Sequence, residues 1–283
     1  VRLVQPAFPH KVKWDIDKFW LNMKNLAHLS HIETKTPILI IWPETSITTF
    51  YENLPKDFPA WLQEILSDSS SYLITGMPTK KFENNKIKYF NSAVVFNNEG
   101  QLIDKYDKIK LVPFGEFIPF SKYFSFISVL VGESEFNSGK DKKTFFIKGI
   151  GKVKLLICYE AIFPGFINFE PLPDLIVNIT NDYWFGDTIG PEQHLILSRQ
   201  RAIETGLPMI RVSNSGISSG FDPLGRELGR LEFGKSGFLD ITLPIKIEPT
   251  IFYKWGNNIF FIMIFLLLFL YFFIKIFKTK FDH

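Results

Sequence analysis

Two periodicities alternate along the chain. Short apolar runs bounded by turn residues read as buried strands: "VRLVQPA" (1–7), "PILIIW" (37–42), "SYLIT" (71–75) and "DLIVNIT" (174–180). Between them lie stretches with helical spacing. From Trp14 to Leu29 the apolar residues Ile16, Phe19, Trp20, Met23 and Leu26 recur on one face, which predicts an amphipathic helix. A second helix is expected around 58–68. A third runs from Gly190 to Gly206, with Leu195, Ile196, Ala202 and Ile203 in step and glycine at its end. "KIKYFNSAVVFN" and "GQLIDKYDK" predict a hairpin across Asn97–Gly100, and "TFFIKGIGKVKLLIC" another that turns at Gly149–Gly151. "PMIRVSNS" and "GFLDITL" supply the last strands. The implied fold class is α/β, an α-β-β-α sandwich of sheets layered with helices.

Two segments break this alternation. From Ile259 to Ile274, "IFFIMIFLLLFLYFFI" carries no charge, and Lys275, Lys278 and Lys280 follow. Sixteen residues of helix span about 24 Å, so a single transmembrane helix over 257–277 is expected. The lysines beyond it place the tail 278–283 in the cytoplasm and residues 1–243 on the opposite face, joined by a linker at 244–256. The second is "LVPFGEFIPFSKYFSFISVLVGESEFNSG" (111–139), a connection too apolar to be a solvated loop. Phe117, Phe120, Phe124 and Phe126 suit either a core plug or a lid that touches lipid. The lid, over 114–131 between Gly115 and Gly132, is the expectation here because a membrane helix is close in sequence.

Composition sharpens the picture in three places. The chain holds 31 phenylalanines among 283 residues, more than an aliphatic core needs, which points to surfaces that meet lipid or apolar ligands. A net charge of +3 without an Arg/Lys block gives no nucleic-acid footprint. One cysteine excludes an internal disulfide. The chain opens at Val1 without a methionine or a signal-peptide pattern, so it is expected to be a piece of something longer or a processed chain.

The chemistry gathers where apolar runs end. "PILIIW" leads into Pro43–Glu44, "QLIDKY" into Asp107–Lys108, and "KVKLLI" into Cys158–Tyr159–Glu160. Ligand sites of α/β sheets lie at the carboxyl ends of strands. A thiol reacts as thiolate; a glutamate can take its proton and an ammonium can steady the anion. A lone cysteine is equally compatible with a small buried core residue, and residue types alone leave both readings open. "GISSG" (216–220) matches a serine-hydrolase elbow, but "FDPLGR" after it turns into another strand instead of a helix. His28 and His31 stand one helical turn apart without a third ligand, so no metal or other cofactor is expected.

"WPETS" (42–46), "YDKIKLVPFGEFIP" (106–119), "ICYEAIFP" (157–164) and "NDYWFG" (181–186) together resemble the carbon–nitrogen hydrolase (nitrilase) superfamily. More narrowly, they resemble its membrane branch, the apolipoprotein N-acyltransferases. "RLVQPAFPHKVKWD" and "RVSNSGIS" are similar to that branch as well, although the residue after the first proline is Ala7 where Asn is usual. The resemblance implies Glu44 as general base, Lys108 as oxyanion-stabilising lysine and Cys158 as nucleophile. It implies a second essential glutamate at Glu116, flanking roles for Tyr159 and Glu160, and less sharply defined roles for Asn91 and Trp184. It further implies a phospholipid acyl donor, a diacylglyceryl apolipoprotein acceptor, and a bacterial inner membrane with the catalytic domain on its periplasmic face. Members of the branch carry several membrane helices ahead of this domain, so an N-terminal membrane segment is expected to be missing here. Two other readings remain open: a nitrilase-type amidase acting on a small amide, and an inactive membrane-anchored fragment.

Overall fold

A computed structural model describes the chain except for residues 32–37, 67–70, 84, 118–135, 142–143, 167–170 and 282–283. Six strands build a first sheet: β1 (Arg2–Gln5), β2 (Leu39–Ile41), β3 (Tyr72–Glu83), β4 (Lys86–Phe96), β5 (Leu102–Asp107) and, from the far end of the domain, β12 (Gly237–Asp240). Their order is β12-β1-β2-β3-β4-β5. The second sheet contains β6 (Thr144–Ile147), β7 (Gly151–Ile157), β8 (Leu175–Thr180), β9 (Met209–Ser213), β10 (Ser218–Phe221) and β11 (Glu227–Leu231), in the order β11-β10-β9-β8-β7-β6.

Alternation along the strands explains why the sheets stack. Leu39 and Ile41 of β2, Val153, Leu155 and Ile157 of β7, and Leu175, Val177 and Ile179 of β8 belong to one buried cluster between the sheets. The intervening residues face outward. Ile40 joins a cluster beneath helices α2 (Phe19–Ser30) and α3 (Phe58–Ile65), and Leu156 and Ile176 join another beneath α4 (Gly190–Thr205). A strand apolar on both faces is what a sheet covered on both sides demands. The layers are therefore helix, sheet, sheet, helix, as expected.

Two expectations needed adjustment, and a third held. The helix predicted from Trp14 begins only at Phe19. Residues 10–13 form a separate short helix, α1 (His10–Lys13), and a 3-10 turn over Ile16–Lys18 follows, in which Asp15 accepts the Asp17 amide at 3.1 Å. Asp15 caps better than it propagates a helix, and Ile16 is left 77% exposed. Strand β3 runs eight residues past "SYLIT", through Pro78, and pairs antiparallel with β4 over eleven residues, from Leu73–Phe96 to Glu83–Lys86. Its polar half carries no apolar run to announce it. The "GISSG" segment runs into β10, whose residues are buried, and a turn at Asp222–Gly225 leads into β11.

Residues 251–255 form a small helix, α5 (Ile251–Trp255), within the expected linker. Helix α6 (Asn258–Phe281) is about 36 Å long at 1.5 Å per residue. Its first eighteen residues have a mean hydropathy of 2.4 and none is buried. It is long and apolar enough to cross a bilayer, and it fits the single C-terminal helix expected.

Burial in the inter-sheet layer sets the stability of the scaffold. Leu155→Ala should cost about 2–5 kcal/mol in a denaturant melt, because the two sheets cannot collapse onto the cavity. Ile245→Ala, at a position 89% exposed, should leave the midpoint unchanged within error.

Candidate active site

The carboxyl ends of β2, β5 and β7 come together at one edge of the sandwich. β2 is parallel to β3, and two successive antiparallel pairings return β5 to the same direction. β7 is parallel to β8, so Cys158 and Thr180 leave the second sheet together. Each strand hands on a polar residue where its apolar run stops.

Glu44 sits in the turn after β2, and 6% of it is exposed. Its neighbour Thr45 has φ +52, and the turn lies directly against Gly76 of β3. A Cβ at Gly76 would penetrate the Thr45 amide and the Glu44 backbone, so only glycine admits the turn. Lys108 follows β5 at once, and 1% of it is exposed. Its main chain is clasped from both sides, its amide donating to Asn91 O at 2.8 Å and its carbonyl accepting from Gly139 N at 2.8 Å. Its ammonium lies 3.3 Å from Glu44 Oε1 and 2.8 Å from Glu116 Oε2. Asn91 Nδ2 donates to Glu44 Oε1 and to Glu116 Oε1, at 2.7 Å each. Glu116 also accepts the Val112 amide at 2.9 Å. One amide and one ammonium thus hold two carboxylates together. Burial alone would lower Lys108, but the charges of Glu44, Cys158 and Glu116 raise it well above the usual lysine range.

Cys158 stands at the junction of β7 and a 3-10 turn (Cys158–Ile162), with φ +48. A non-glycine residue held there costs on the order of 1–3 kcal/mol, which the surroundings must supply. They do so through its carbonyl, which accepts His194 Nε2 at 3.2 Å and Asn178 Nδ2 at 3.4 Å. A carbonyl can only accept, so Nε2 of His194 donates there. The other nitrogen lies 3.0 Å from Asp182 Oδ1 and 3.1 Å from Arg211 Nη2. Arg211 pairs with Asp182 Oδ2 at 2.6 Å and donates to Asn178 Oδ1 at 2.7 Å. Against the upward push of burial, Arg211 and His194 hold the Asp182 carboxyl far below the usual range. The residue is partly exposed, and the Thr180 hydroxyl lies within hydrogen-bonding reach of the thiol. Desolvation first, then the charge of Glu44, push Cys158 up to about 12, against the downward pull of Lys108.

Glu160 ties the two sheets at this edge. Fully buried, it accepts Tyr106 Oη at 2.8 Å, Ile109 N at 2.7 Å and Lys110 N at 3.1 Å on one oxygen. The other oxygen accepts Ile157 N at 2.8 Å. Burial raises its carboxyl, and the four donors oppose that rise. One side chain therefore fixes the loop after Lys108 to the strand before Cys158.

Residues 1–247 match the carbon-nitrogen hydrolase family model. This chain belongs to the carbon-nitrogen hydrolase family. Curated relatives include the apolipoprotein N-acyltransferase of Rickettsia typhi, 38% identical over 91% of this chain and 52% of the relative. That of Bradyrhizobium diazoefficiens is 35% identical over 91% and 50%. The chain thus spans about half the length of the curated relatives it matches. Among solved structures, the NitN amidase of Nesterenkonia sp. AN1 superposes with a TM-score of 0.58 at 19% identity, covering 86% of this chain and 92% of that one. Nit3 of Saccharomyces cerevisiae does so with a TM-score of 0.60 at 19% identity, covering 84% and 86%. At such identity these show the fold alone, the two-sheet nitrilase sandwich.

Of the residues singled out in the sequence, Glu44, Lys108, Glu116 and Asn91 meet in one hydrogen-bonded group. Cys158 lies within electrostatic range of the first two. Tyr159 packs edge-on against Phe163, with ring centroids 5.0 Å apart. Trp184 is 74% exposed and meets the His10 ring at 5.5 Å, on the surface and not against the charged group. Phe117 bridges to Pro113 and is partly buried. Phe120, Phe124, Phe126 and most of the lid expected over 114–131 lie outside the described residues. Asp182, His194, Arg211 and Asn178 were not singled out. Their signal is a polar residue inside an apolar strand, Asn178 in "LIVNIT" and Arg211 in "MIRVS".

Two consequences can be measured. Glu160→Gln turns an amide NH₂ toward backbone donors and should cost about 1–3 kcal/mol of stability in a denaturant melt. Glu44→Gln leaves no carboxylate beside the thiol to take its proton, so Cys158 should react with iodoacetamide at pH 7 more slowly than in the wild type.

Proposed function

We propose that the chain transfers an acyl group from a phospholipid to the free amine of a diacylglyceryl-modified cysteine, through a thioester on Cys158. What carries this reading is a partly exposed cysteine at a strand end, its thiol within the field of a buried Glu44–Lys108 pair, in a chain about 35–38% identical to proteins named apolipoprotein N-acyltransferase. In this reading Glu44 takes the thiol proton as sulfur attacks the ester carbonyl, and Lys108 faces the oxyanion that forms. The ester C–O bond breaks, and the lysophospholipid leaves with the proton returned by Glu44. The acceptor amine then attacks the thioester, Glu44 takes its proton, and sulfur is released.

The electrostatics suit the two half-reactions. A thiol raised to about 12 is protonated at rest, so it ionises only as its proton moves to the base during attack. Glu116 and Asn91 keep the Glu44 carboxylate beside Lys108 throughout. Helix α6 would anchor the domain in the bacterial inner membrane with residues 1–243 on the periplasmic face, where both lipid substrates are found.

Incubating the chain in phospholipid nanodiscs should add one acyl chain to Cys158, visible as a mass increase that hydroxylamine removes. Cys158→Ala should show no adduct, and Glu44→Gln should form it about 10²–10⁴-fold more slowly. A diacylglyceryl-cysteine peptide should then take up the chain. Release of free fatty acid without transfer would favour the amidase-like hydrolytic reading instead.

A further inference from the structure

The charged group around Cys158 does not balance without one more residue. Glu44 and Glu116 are two carboxylates facing the single ammonium of Lys108, while Asp182 is matched by Arg211. Lys13, at the end of α1, supplies the missing cation. It is 2% exposed, and its Nζ donates to the main-chain oxygen of Glu44 at 2.9 Å. That is its one hydrogen bond among the described residues, for a group with three donors. Its segment is fastened on every side. Ala7 N donates to Asn214 O at 2.8 Å, Asn214 Nδ2 donates to Phe8 O at 2.9 Å, and Asn22 Nδ2 holds Val12 O at 3.1 Å. A buried ammonium costs free energy unless negative charge faces it. The negative groups that act on Lys13 are Glu44 and Cys158.

We propose that Lys13 is a positioning residue of this site, holding the Glu44 turn by its backbone carbonyl and adding the second positive charge that favours the Cys158 thiolate. The two lysines divide the work. Lys108 is locked between carboxylates and stays charged at every accessible pH. Lys13 is lowered by desolvation to about 8, so it loses its charge within the working range. The charged and titratable groups around the pair are Glu44, Lys108, Glu116, Cys158 and Asp182. The inference rests on Cys158 as the reacting group, but alkylation of a thiol needs no acyl donor, so it can fail while the acyltransferase reading stands.

The test is the rate of Cys158 alkylation by iodoacetamide between pH 6 and 10 on the full chain in detergent, with folding followed by circular dichroism. In the wild type the logarithm of the rate should climb with pH and flatten near pH 8, where Lys13 gives up its charge. Lys13→Met should be about tenfold slower at pH 7, one pKa unit of thiol destabilisation, and lose the flattening. Lys13→Gln keeps a donor for the Glu44 carbonyl without the charge, and should behave alike. Wild-type rates and profile in either folded variant would overturn the proposal. Should both variants unfold, a wild-type profile without the flattening would overturn it as well.

Discussion

A buried ammonium between two carboxylates is the constraint on which the active edge depends. Lys108 could not stay ionised at 1% exposure without Glu44 and Glu116, and neither carboxylate could be so buried without it. Removing one member of such a set typically costs about 3–5 kcal/mol, because the remaining charges stay in a poorly solvating place. Glu44 follows β2, whereas Lys108 and Glu116 share the connection after β5, so the ion group also welds those two segments to one another. The apolar layer between the sheets makes the edge possible by bringing strand ends of separate sheets to one place. The charges decide how those ends are arranged.

The cysteine side is built on another principle. Its support is a buried polar network, Asp182, Arg211, His194 and Asn178, whose output is two hydrogen bonds to one carbonyl oxygen. None of these side chains needs to touch a substrate to matter, since they hold a residue whose backbone would otherwise relax. Glu160 then sets the spacing between the two halves, with one oxygen for the lysine loop and the other for the strand of the cysteine.

How much of this was legible in the sequence follows from where each signal resides. Strands apolar on both faces, such as "DLIVNIT", and the uncharged run at 259–274 are local patterns, so layers and terminal helix could be read directly. Glu44, Lys108 and Cys158 showed themselves as polar residues at strand ends, but that they share an edge is a property of pairing, which no local pattern carries. The polar half of β3 and the late start of α2 were illegible for an opposite reason. Pairing with β4 and the turn at Asp15 overrode the local apolar spacing. Nothing local in "HKVKWD" marks Lys13; only the fold turns it inward.

The left-handed backbone at Cys158 has a counterpart across the site. At φ +48 any side chain strains its own main chain and only glycine would be at ease, yet the same edge also holds Thr45, a β-branched residue, at φ +52. At both junctions a polar residue leaves its strand on backbone that its own preference would not choose. The conformation there belongs to the surroundings, the two hydrogen bonds on the Cys158 carbonyl and the bare backbone of Gly76 under the Glu44 turn, and not to the residue that adopts it.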